Sequence, residues 1–204
     1  MSNQAWRGSI PRRQFIGHLI VAGGSIRLLP MQGDEVSIVQ FSDAGVRLGL
    51  VRVPKVVKPE REWRKQLSEL AFEVARKGAT ETPFTGDYWN FHEKGVFRCI
   101  CCDTALFSSA HKFDSGTGWP SFWRPIAEEN VAGPAREHAT TPAESEVKCV
   151  RCDAHLGDRF DDGPRPTGHR YCIDSVSLRF VKTVQEGKAR ETPERAAKPE
   201  LAGR

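Results

Sequence analysis

The alternation of hydrophobic and polar side chains predicts a β-hairpin near the start of the chain. Residues 35–41 (EVSIVQF) and 46–53 (VRLGLVRV) are two short runs rich in β-branched and aliphatic side chains. Four residues, Ser42 to Gly45, separate them and include the small and polar types that favour a tight turn. We expect this hairpin to form an extension, residues 35–55, that precedes the main domain.

The period of the hydrophobic residues changes after Pro59. The side chains that then recur at helical spacing are Trp63, Leu67, Leu70 and Val74. Acidic residues stand at the beginning of this stripe and a glycine follows its end, as is usual for a helix. We expect one helix whose apolar stripe packs against the rest of the domain.

Short β-prone runs, glycines, prolines and aromatic residues fill the chain beyond this helix. The stretch 169–180 has the composition of a strand that ends at Phe180. Because successive side chains of a strand point to opposite faces, Arg170, Cys172 and Asp174 should share one side. We expect the charged end of this strand to border a cleft and its apolar end to enter the core.

Both ends of the chain differ from the middle. The first 34 residues place Arg12 and Arg13 before a short apolar run that starts at Phe15, as in a twin-arginine export signal to the periplasm. The alternative is a flexible basic arm on a cytoplasmic protein. Residues 183–204 are charged, have few large apolar side chains and are expected to be disordered. These boundaries leave residues 56–182 as the main domain.

Composition narrows the class of protein without identifying it. A length of 204 residues, 39% of them hydrophobic and 27% charged, suits one globular domain with tails. The net charge of +4 arises from basic residues interleaved with acidic ones, so no nucleic-acid partner is expected. No apolar stretch approaches the roughly 20 residues of a membrane-spanning helix. We expect a monomer without a membrane span.

Four of the six cysteines form two C-x-x-C pairs, which predict a metal site. The pairs are Cys99 with Cys102 and Cys149 with Cys152. A two-residue spacer lets both thiolates of a pair face one ion, and four thiolates complete a closed tetrahedral zinc shell. Such a shell has no open position for water, so we expect one structural Zn²⁺. Disulfides or a redox-active C-x-x-C are the alternatives.

Cys172 stands apart from these pairs. A guanidinium on the same side of the strand, that of Arg170, favours the thiolate, which is the nucleophilic form of cysteine. An ionised Asp174 would oppose this effect unless it pairs with Arg170 or holds a proton. The alternative is a small buried cysteine beside a surface ion pair.

Two other stretches favour a site around Cys172. Residues 113–123 (FDSGTGWPSFW) hold two tryptophans and two phenylalanines between tight turns, which suits either an apolar pocket wall or a corner of the core. Residues 152–164 (CDAHLGDRFDDGP) place His155 and Asp158 just after the second cysteine pair. We expect both side chains on a loop that the metal site holds in place.

These motifs together resemble the type B methionine sulfoxide reductases, which reduce the R epimer of methionine sulfoxide. The resemblance rests on FDSGTGWPSF, on CVRCDAHLGDRFDDGPRPTGHRYCIDSVSLRF and on the paired C-x-x-C motifs, and it covers residues 59–180. It implies a mainly β fold of two antiparallel sheets with short N-terminal helices, joined by a four-cysteine zinc site.

The resemblance also assigns roles by position. Cys172 becomes the nucleophile that attacks the sulfoxide sulfur and is left as a sulfenic acid. Trp119 is assigned to the methyl group of the substrate, with Phe122 nearby. His155 would position and protonate the sulfoxide oxygen, and Arg170 would support the thiolate. Oxidised proteins or peptides are the implied substrates, and thioredoxin or another thiol is the implied reductant.

The chain differs from the family pattern at three positions. Asp158 stands where many members have a second catalytic histidine, and with an ordinary pKa near 3.9 it would rarely donate a proton. Asp174 replaces a common asparagine and would raise the pKa of the thiol. Thr117 replaces the usual resolving cysteine. Cys101, inside the first metal loop, is then the candidate resolving thiol; otherwise an external thiol reduces the sulfenic acid directly.

Two other functions stay open at this stage. A binding module with the same zinc site and a decayed active site would account for Asp158 and Asp174. A zinc hydrolase would instead use His155, Asp158 and His169 as ligands of a second, open metal site.

Overall fold

A β-hairpin begins the part of the chain that this computed structural model describes, residues 34–133 and 145–183. Strand β1 (Glu35–Phe41) pairs antiparallel with β2 (Arg47–Pro54) as a separate two-stranded sheet. Val39 is buried against the rest of the fold, and its backbone makes hydrogen bonds of 2.7 and 2.8 Å with the side chain of Asn130. The twin-arginine motif and residues 184–204 lie outside the described part.

Two short helices replace the single helix that the sequence predicts. They are α1 (Glu60–Gln66) and α2 (Glu69–Lys77). The chain is extended at Leu67 because Ser68 begins α2 as its N-cap, its hydroxyl accepting a hydrogen bond from a first-turn amide. The break turns Leu70 outward, where 51% of it is exposed, whereas the other three residues of the predicted stripe are buried.

Nine short strands complete the described fold. They are β3 (Gly95–Cys99), β4 (Ala105–Ser108), β5 (Lys112–Phe113), β6 (Ser121–Phe122), β7 (Val131–Ala132), β8 (Glu146–Cys149), β9 (His155–Phe160), β10 (Arg170–Ile173) and β11 (Leu178–Lys182). A six-stranded sheet has the order β5–β6–β10–β9–β8–β7, and a three-stranded sheet has the order β11–β3–β4. All pairings are antiparallel. The predicted fold class, two antiparallel sheets with short N-terminal helices, is confirmed.

The segment 169–180 is not the continuous strand that its composition predicts. Strand β10 ends at Ile173, a 3-10 turn follows at Ser175–Ser177, and β11 then pairs with β3 in the other sheet. The carboxylate of Glu81 accepts hydrogen bonds from the backbone N–H groups of Ser175 (2.7 Å) and Val176 (3.1 Å). These amides are therefore held in the turn, and the chain crosses between sheets directly after Asp174.

Aromatic side chains from both sheets form the centre of the core. Phe97 and Phe107 of the small sheet lie 5.1 and 4.5 Å, between ring centroids, from Phe122 of the large one. Trp63 and Phe72 bring the two helices into the same cluster. The described helices are all too short or too polar to cross a bilayer.

Candidate active site and thiol cluster

A small cavity of about 130 Å³ opens where β10 lies between β6 and β9. Its walls are Thr80, Trp119, Gly157, Asp158, Phe160, Cys172 and Asp174. All of these residues except Thr80 belong to the stretches that the sequence singled out. The cavity therefore combines an apolar aromatic wall, two carboxyl groups and one thiol.

The register of the large sheet places Cys172 at the base of this cavity. It pairs directly with Asp158 on β9 and with Ser121 on β6. Its sulfur lies 3.8 Å from the hydroxyl oxygen of Thr117. The hydroxyl of Ser115 lies 2.9 Å from that of Thr117 and 2.7 Å from that of Ser121, so three linked hydroxyl groups approach the thiol from one side.

The surroundings of Cys172 act on its pKa in opposite directions. Burial raises the pKa of the thiol and is the dominant effect. Hydrogen bonding from the Thr117 hydroxyl and the positive charge of Arg170 lower the pKa, whereas Asp174 raises it. The balance leaves the pKa of Cys172 above its ordinary value. The thiolate is thus the minor form at neutral pH.

The guanidinium of Arg170 pairs with Asp162 and not with Asp174, one of the two arrangements that the sequence left open for Asp174. Its Nε and Nη2 donate hydrogen bonds of 2.8 and 2.9 Å to the two oxygens of Asp162. This bidentate pair raises the pKa of Arg170 and fixes its plane, and the guanidinium carbon lies 4.4 Å from the ring centroid of Phe160. Arg170 therefore acts on the thiol as a fixed positive charge, and it makes no ion pair with Asp174.

Asp174 is buried at the inner end of the cavity, with 2% of it exposed. Its Oδ1 accepts a hydrogen bond of 2.9 Å from the backbone N–H of Glu81. Burial raises the pKa of Asp174 to about 7, and the negative charges of Glu81 and Asp158 add to that effect. Asp174 would not disfavour the Cys172 thiolate if it either paired with Arg170 or held a proton. The structure favours the proton, because Arg170 is paired with Asp162.

Glu81 connects the cavity to the turn behind it, a role that the sequence does not indicate. It is a buried acidic residue, with 3% exposed, on the segment after α2. Its carbonyl oxygen accepts a hydrogen bond of 3.1 Å from the indole N–H of Trp119. Through its backbone N–H, its carbonyl and its carboxylate, this one residue orients Asp174, Trp119 and the 3-10 turn.

His155 lies behind Asp174 and is not among the residues that line the cavity. Its Nδ1 is 2.9 Å from a carboxylate oxygen of Glu146, and its Nε2 is 3.7 Å from Oδ2 of Asp174. His155, which was expected to bind the sulfoxide oxygen, is thus separated from the cavity by the carboxyl group of Asp174. Glu146, its partner on β8, is a second residue that sequence reasoning missed, because nothing in its local sequence distinguishes it.

Asp158 borders the cavity as the sequence suggests, although its carboxylate is already hydrogen-bonded. Oδ1 accepts a hydrogen bond of 2.7 Å from the hydroxyl of Ser145. Trp119, the predicted ligand of the methyl group, is half-buried in the cavity wall.

Phe122, which was expected near the substrate, does not line the cavity. It is fully buried and stacks on Phe107, because it follows Ser121 on the strand and so faces the core when that serine faces Cys172. The second aromatic residue of the cavity is Phe160, which is 41% exposed.

The four cysteines of the C-x-x-C pairs converge in space. Their sulfur atoms all lie within 4.8 Å of one another, and the Cys99–Cys152 and Cys102–Cys149 sulfur pairs are 3.6 and 3.5 Å apart. A disulfide requires about 2.05 Å, whereas the edges of a tetrahedron with metal–sulfur bonds of about 2.3 Å are close to the observed spacing. The donor set and its geometry therefore fit a tetrahedral thiolate metal ion.

The remaining candidates do not join either site. Cys101 is 4% exposed and packs in the core beside the thiol cluster, apart from the residues that line the Cys172 cavity. The hydrolase alternative required His155, Asp158 and His169 to converge. Among residues 34–133 and 145–183 only the cysteine quartet forms a metal-ligating group, and His169 instead lies 3.1 Å from Asp161.

Comparison with known proteins agrees with this geometry. A SelR domain matches residues 67–182 of the chain. Peptide methionine sulfoxide reductase MsrB of Hahella chejuensis is 47% identical over 134 residues, which are 66% of this chain and 96% of that protein. MsrB of Thioalkalivibrio sulfidiphilus is 53% identical over 121 residues, 59% of this chain and 88% of that protein.

A plant relative has the same domain within a longer protein. The chloroplastic peptide methionine sulfoxide reductase B1 of Oryza sativa subsp. japonica is 52% identical over 124 residues, which are 61% of this chain and 58% of that protein. The domain match covers more than half of the chain, and all three relatives are named peptide methionine sulfoxide reductase. The chain therefore belongs to the SelR-domain family, the type B methionine sulfoxide reductases.

Proposed function

We propose that this protein reduces methionine-R-sulfoxide in peptides or proteins to methionine with electrons from thiols. The observation that carries the proposal is the position of Cys172 in a cavity with an aromatic wall and two carboxyl groups. A methylsulfinyl group has an apolar methyl, an electrophilic sulfur and a basic oxygen. The cavity offers aromatic rings to the methyl group, the Cys172 thiol to the sulfur and carboxyl groups to the oxygen.

The thiolate of Cys172 is the nucleophile in this proposal. It attacks the sulfoxide sulfur, and the oxygen takes up a proton and passes to the cysteine sulfur. Methionine leaves as the thioether, reduced by two electrons, and Cys172 is left as a sulfenic acid, oxidised by two. The Thr117 hydroxyl and the Arg170 charge stabilise the small thiolate fraction that starts the reaction.

Trp119 and Phe160 bind the methyl end of the substrate. The indole of Trp119 cannot swing freely, because its N–H is bonded to the Glu81 carbonyl. Phe160 is covered on one side by the Arg170 guanidinium, which leaves its exposed part for the substrate. Transfer of a methyl group to an apolar surface contributes about 1 kcal/mol, so the two rings orient the substrate more than they tighten its binding.

Two thiols must then return the sulfenic acid to a thiol, with release of water and formation of a disulfide. Thioredoxin or a small dithiol is the reductant that we propose. Cys101 stays a candidate resolving thiol, although its burial beside the thiol cluster favours direct attack by the external reductant. Full turnover of Cys101→Ser with thioredoxin would end the resolving role of Cys101.

We propose zinc as the ion of the cysteine quartet. Cys99, Cys102, Cys149 and Cys152 would hold it, and all four positions of its shell would be filled by thiolates. A Zn²⁺ ion bound in this way supplies structural cross-linking, not chemistry at the substrate. Metal analysis of the purified protein should give one zinc per chain.

The test of the proposed function is an assay on separated R and S epimers of a peptide methionine sulfoxide with dithiothreitol. We expect reduction of the R epimer alone and loss of activity in Cys172→Ser with zinc content and thermal stability retained. If the wild-type protein reduces neither epimer, it is a binding module with an inactive site. If Cys172→Ser keeps its activity, the nucleophile is another residue.

Export is a separate proposal that rests on Arg12 and Arg13, which lie outside the described residues. Replacing both by lysine keeps the charge but removes the twin-arginine pair. We expect the variant to be retained in the cytoplasm while the parent reaches the periplasm. An unchanged distribution in cell fractions would refute the signal.

A further inference from the structure

Asp174 has a well-defined arrangement of its two carboxyl oxygens. Oδ1 accepts the Glu81 N–H at 2.9 Å, while Oδ2 lies 3.7 Å from Nε2 of His155. An oxygen that accepts an amide hydrogen bond is the poorer place for a proton. A protonated Asp174 therefore carries its hydrogen on Oδ2, between the imidazole and the cavity.

His155 provides the matching half of this arrangement. Its Nδ1 is 2.9 Å from a carboxylate oxygen of Glu146, so Nδ1 carries a hydrogen. Nε2 is buried without any hydrogen-bond partner and faces Oδ2 of Asp174 at 3.7 Å. Because this distance is too long for a hydrogen bond, His155 does not compete with a substrate for a proton on Oδ2.

The acidic groups around Asp174 favour its neutral form. Glu81 approaches from the segment after α2, Asp158 from β9 and Cys172 from β10, and each is negative when ionised. Nε2 of His155 faces it at 3.7 Å, and the charge of Arg170 is paired with Asp162. Burial, with the negative charges of Glu81 and Asp158, raises the pKa of Asp174 to about 7.

We propose that Asp174 is the acid that protonates the sulfoxide oxygen, with Glu146 and His155 as positioning residues behind it. The proposal rests on the proposed function and names the proton donor for it. The Cys172 thiolate forms a bond to the sulfoxide sulfur as Asp174 gives its proton to the oxygen. The hydroxyl then moves to the Cys172 sulfur, the sulfur–sulfur bond breaks, methionine leaves, and the Asp174 carboxylate regains a proton from water.

The pH dependence of kcat/KM distinguishes this role from others. The active form needs a protonated Asp174 and an ionised Cys172. Below about pH 7 Asp174 is almost fully protonated, so kcat/KM rises tenfold per pH unit as the thiolate fraction of Cys172 increases. Between the Asp174 pKa and the raised Cys172 pKa, loss of the acid offsets gain of the thiolate, so the profile is flat.

Asp174→Asn is the decisive variant because it is isosteric and can keep the hydrogen bond to Glu81. We expect kcat/KM at pH 6.5 to fall about 100-fold, in the range usual for a lost general acid. The remaining activity should rise tenfold per unit straight through pH 7, up to the pKa of the thiol. In the wild type, the change from the rising to the flat part of the profile gives a bend near pH 7. An unchanged kcat/KM with this bend still present in Asp174→Asn would overturn the proposal.

Alkylation of Cys172 by iodoacetamide, followed by mass spectrometry of its peptide, supplies the control. Alkylation needs the thiolate but no acid, so Asp174→Asn should be alkylated as fast as the wild type or faster. A parallel loss of alkylation would mean that Asp174 acts on the thiol or on folding, and would also overturn the proposal.

Asp158→Asn is the matched comparison, because Asp158 lines the same cavity and lies directly opposite Cys172. Its charge raises the pKa of Asp174, so its removal should move the bend to lower pH without abolishing it. Loss of the bend in Asp158→Asn but not in Asp174→Asn would assign the acid to Asp158 instead. If wild type is active and Cys172→Ser inactive, failure of the Asp174 tests leaves the proposed function intact.

Discussion

The hydroxyl of Thr117 lies 3.8 Å from the Cys172 sulfur. A thiol introduced at this position would place a second sulfur beside a sulfenic acid. We expect the Thr117→Cys variant to form a disulfide between the introduced thiol and Cys172 after one turnover with sulfoxide, since a sulfenic acid condenses rapidly with a neighbouring thiol. Mass spectrometry of the non-reduced peptides would detect this disulfide.

Thr117→Ser is the control for that variant, because it keeps the hydroxyl and adds no thiol. It should show no such disulfide and should retain the alkylation rate of Cys172. If Thr117→Cys instead accumulates an unchanged sulfenic acid, the turn that carries residue 117 does not bring it to the reacting sulfur.

The two phenylalanines near the site should respond in opposite ways to truncation. Phe122→Ala removes a fully buried ring that stacks on Phe107, so we expect a loss of about 3–5 kcal/mol in the free energy of unfolding. Phe160→Ala removes a ring that is 41% exposed in the cavity wall, so we expect a several-fold higher KM with a small change in stability. Urea unfolding and steady-state kinetics would separate them, and the reverse pattern would restore Phe122 to the site.

Among single residues, the sequence predicts those that belong to a motif and misses those that do not. Arg170, Cys172 and the aromatic turn follow from local alternation and motif. Glu81 reaches Asp174 from 93 residues away and Glu146 reaches His155 from the neighbouring strand, and no motif or periodicity marks either acid. Phe122 lies in the core and not in the cavity wall, and the sequence could not separate the two because an aromatic-rich turn suits both.

The close approach of β9 and β10 depends on Gly157. Its φ is +143°, and a β-carbon built there would overlap the carbonyl oxygen of Cys172. Gly157→Ala should therefore push β10 away from β9 and displace the sulfur from the hydroxyls of the opposite side. We expect loss of most activity together with reduced thermal stability, measured by turnover and by circular dichroism.

Gly116 is the matched control, because it also has a positive φ, of 70°, but a β-carbon there would meet nothing within 4 Å. Gly116→Ala should show the backbone cost alone, about 1 kcal/mol, with smaller effects on activity. Equal losses in the two variants would mean that backbone strain, not contact with Cys172, explains the effect.

Element boundaries are the least predictable part of the fold. The hydrophobic stripe after Pro59 has helical spacing throughout, yet the cap at Ser68 divides it into two helices. The stretch 169–180 is rich in strand-forming residues, yet the Glu81 carboxylate takes the amides of the turn after Asp174. In both cases a hydrogen bond that pattern analysis does not weigh ends the element.

The cysteine quartet connects the three-stranded and the six-stranded sheet. Cys99 ends β3 of the small sheet, Cys149 ends β8 of the large one, and the other two cysteines lie in the turns that follow. The C-x-x-C spacing predicts this convergence because each pair already faces one point. Which sheets the quartet joins depends on long-range pairing, which the spacing does not contain.

Removal of the zinc ion proposed for this quartet should therefore destabilise the whole domain while leaving the chemistry of Cys172 untouched until the fold is lost. Thiolate–zinc sites contribute several kcal/mol to folding, so we expect a thermal midpoint lower by at least about 10 °C after chelation. Acidification should promote the loss, because protons compete with the metal for the thiolates.

Cys102→Ser should reproduce the effect of chelation. Cys101→Ser, at the neighbouring buried position outside the quartet, should keep one zinc per chain and a midpoint close to that of the wild type. Full zinc retention in Cys102→Ser would remove Cys102 from the ligand set, and equal zinc loss in both variants would show that the quartet alone does not define the site.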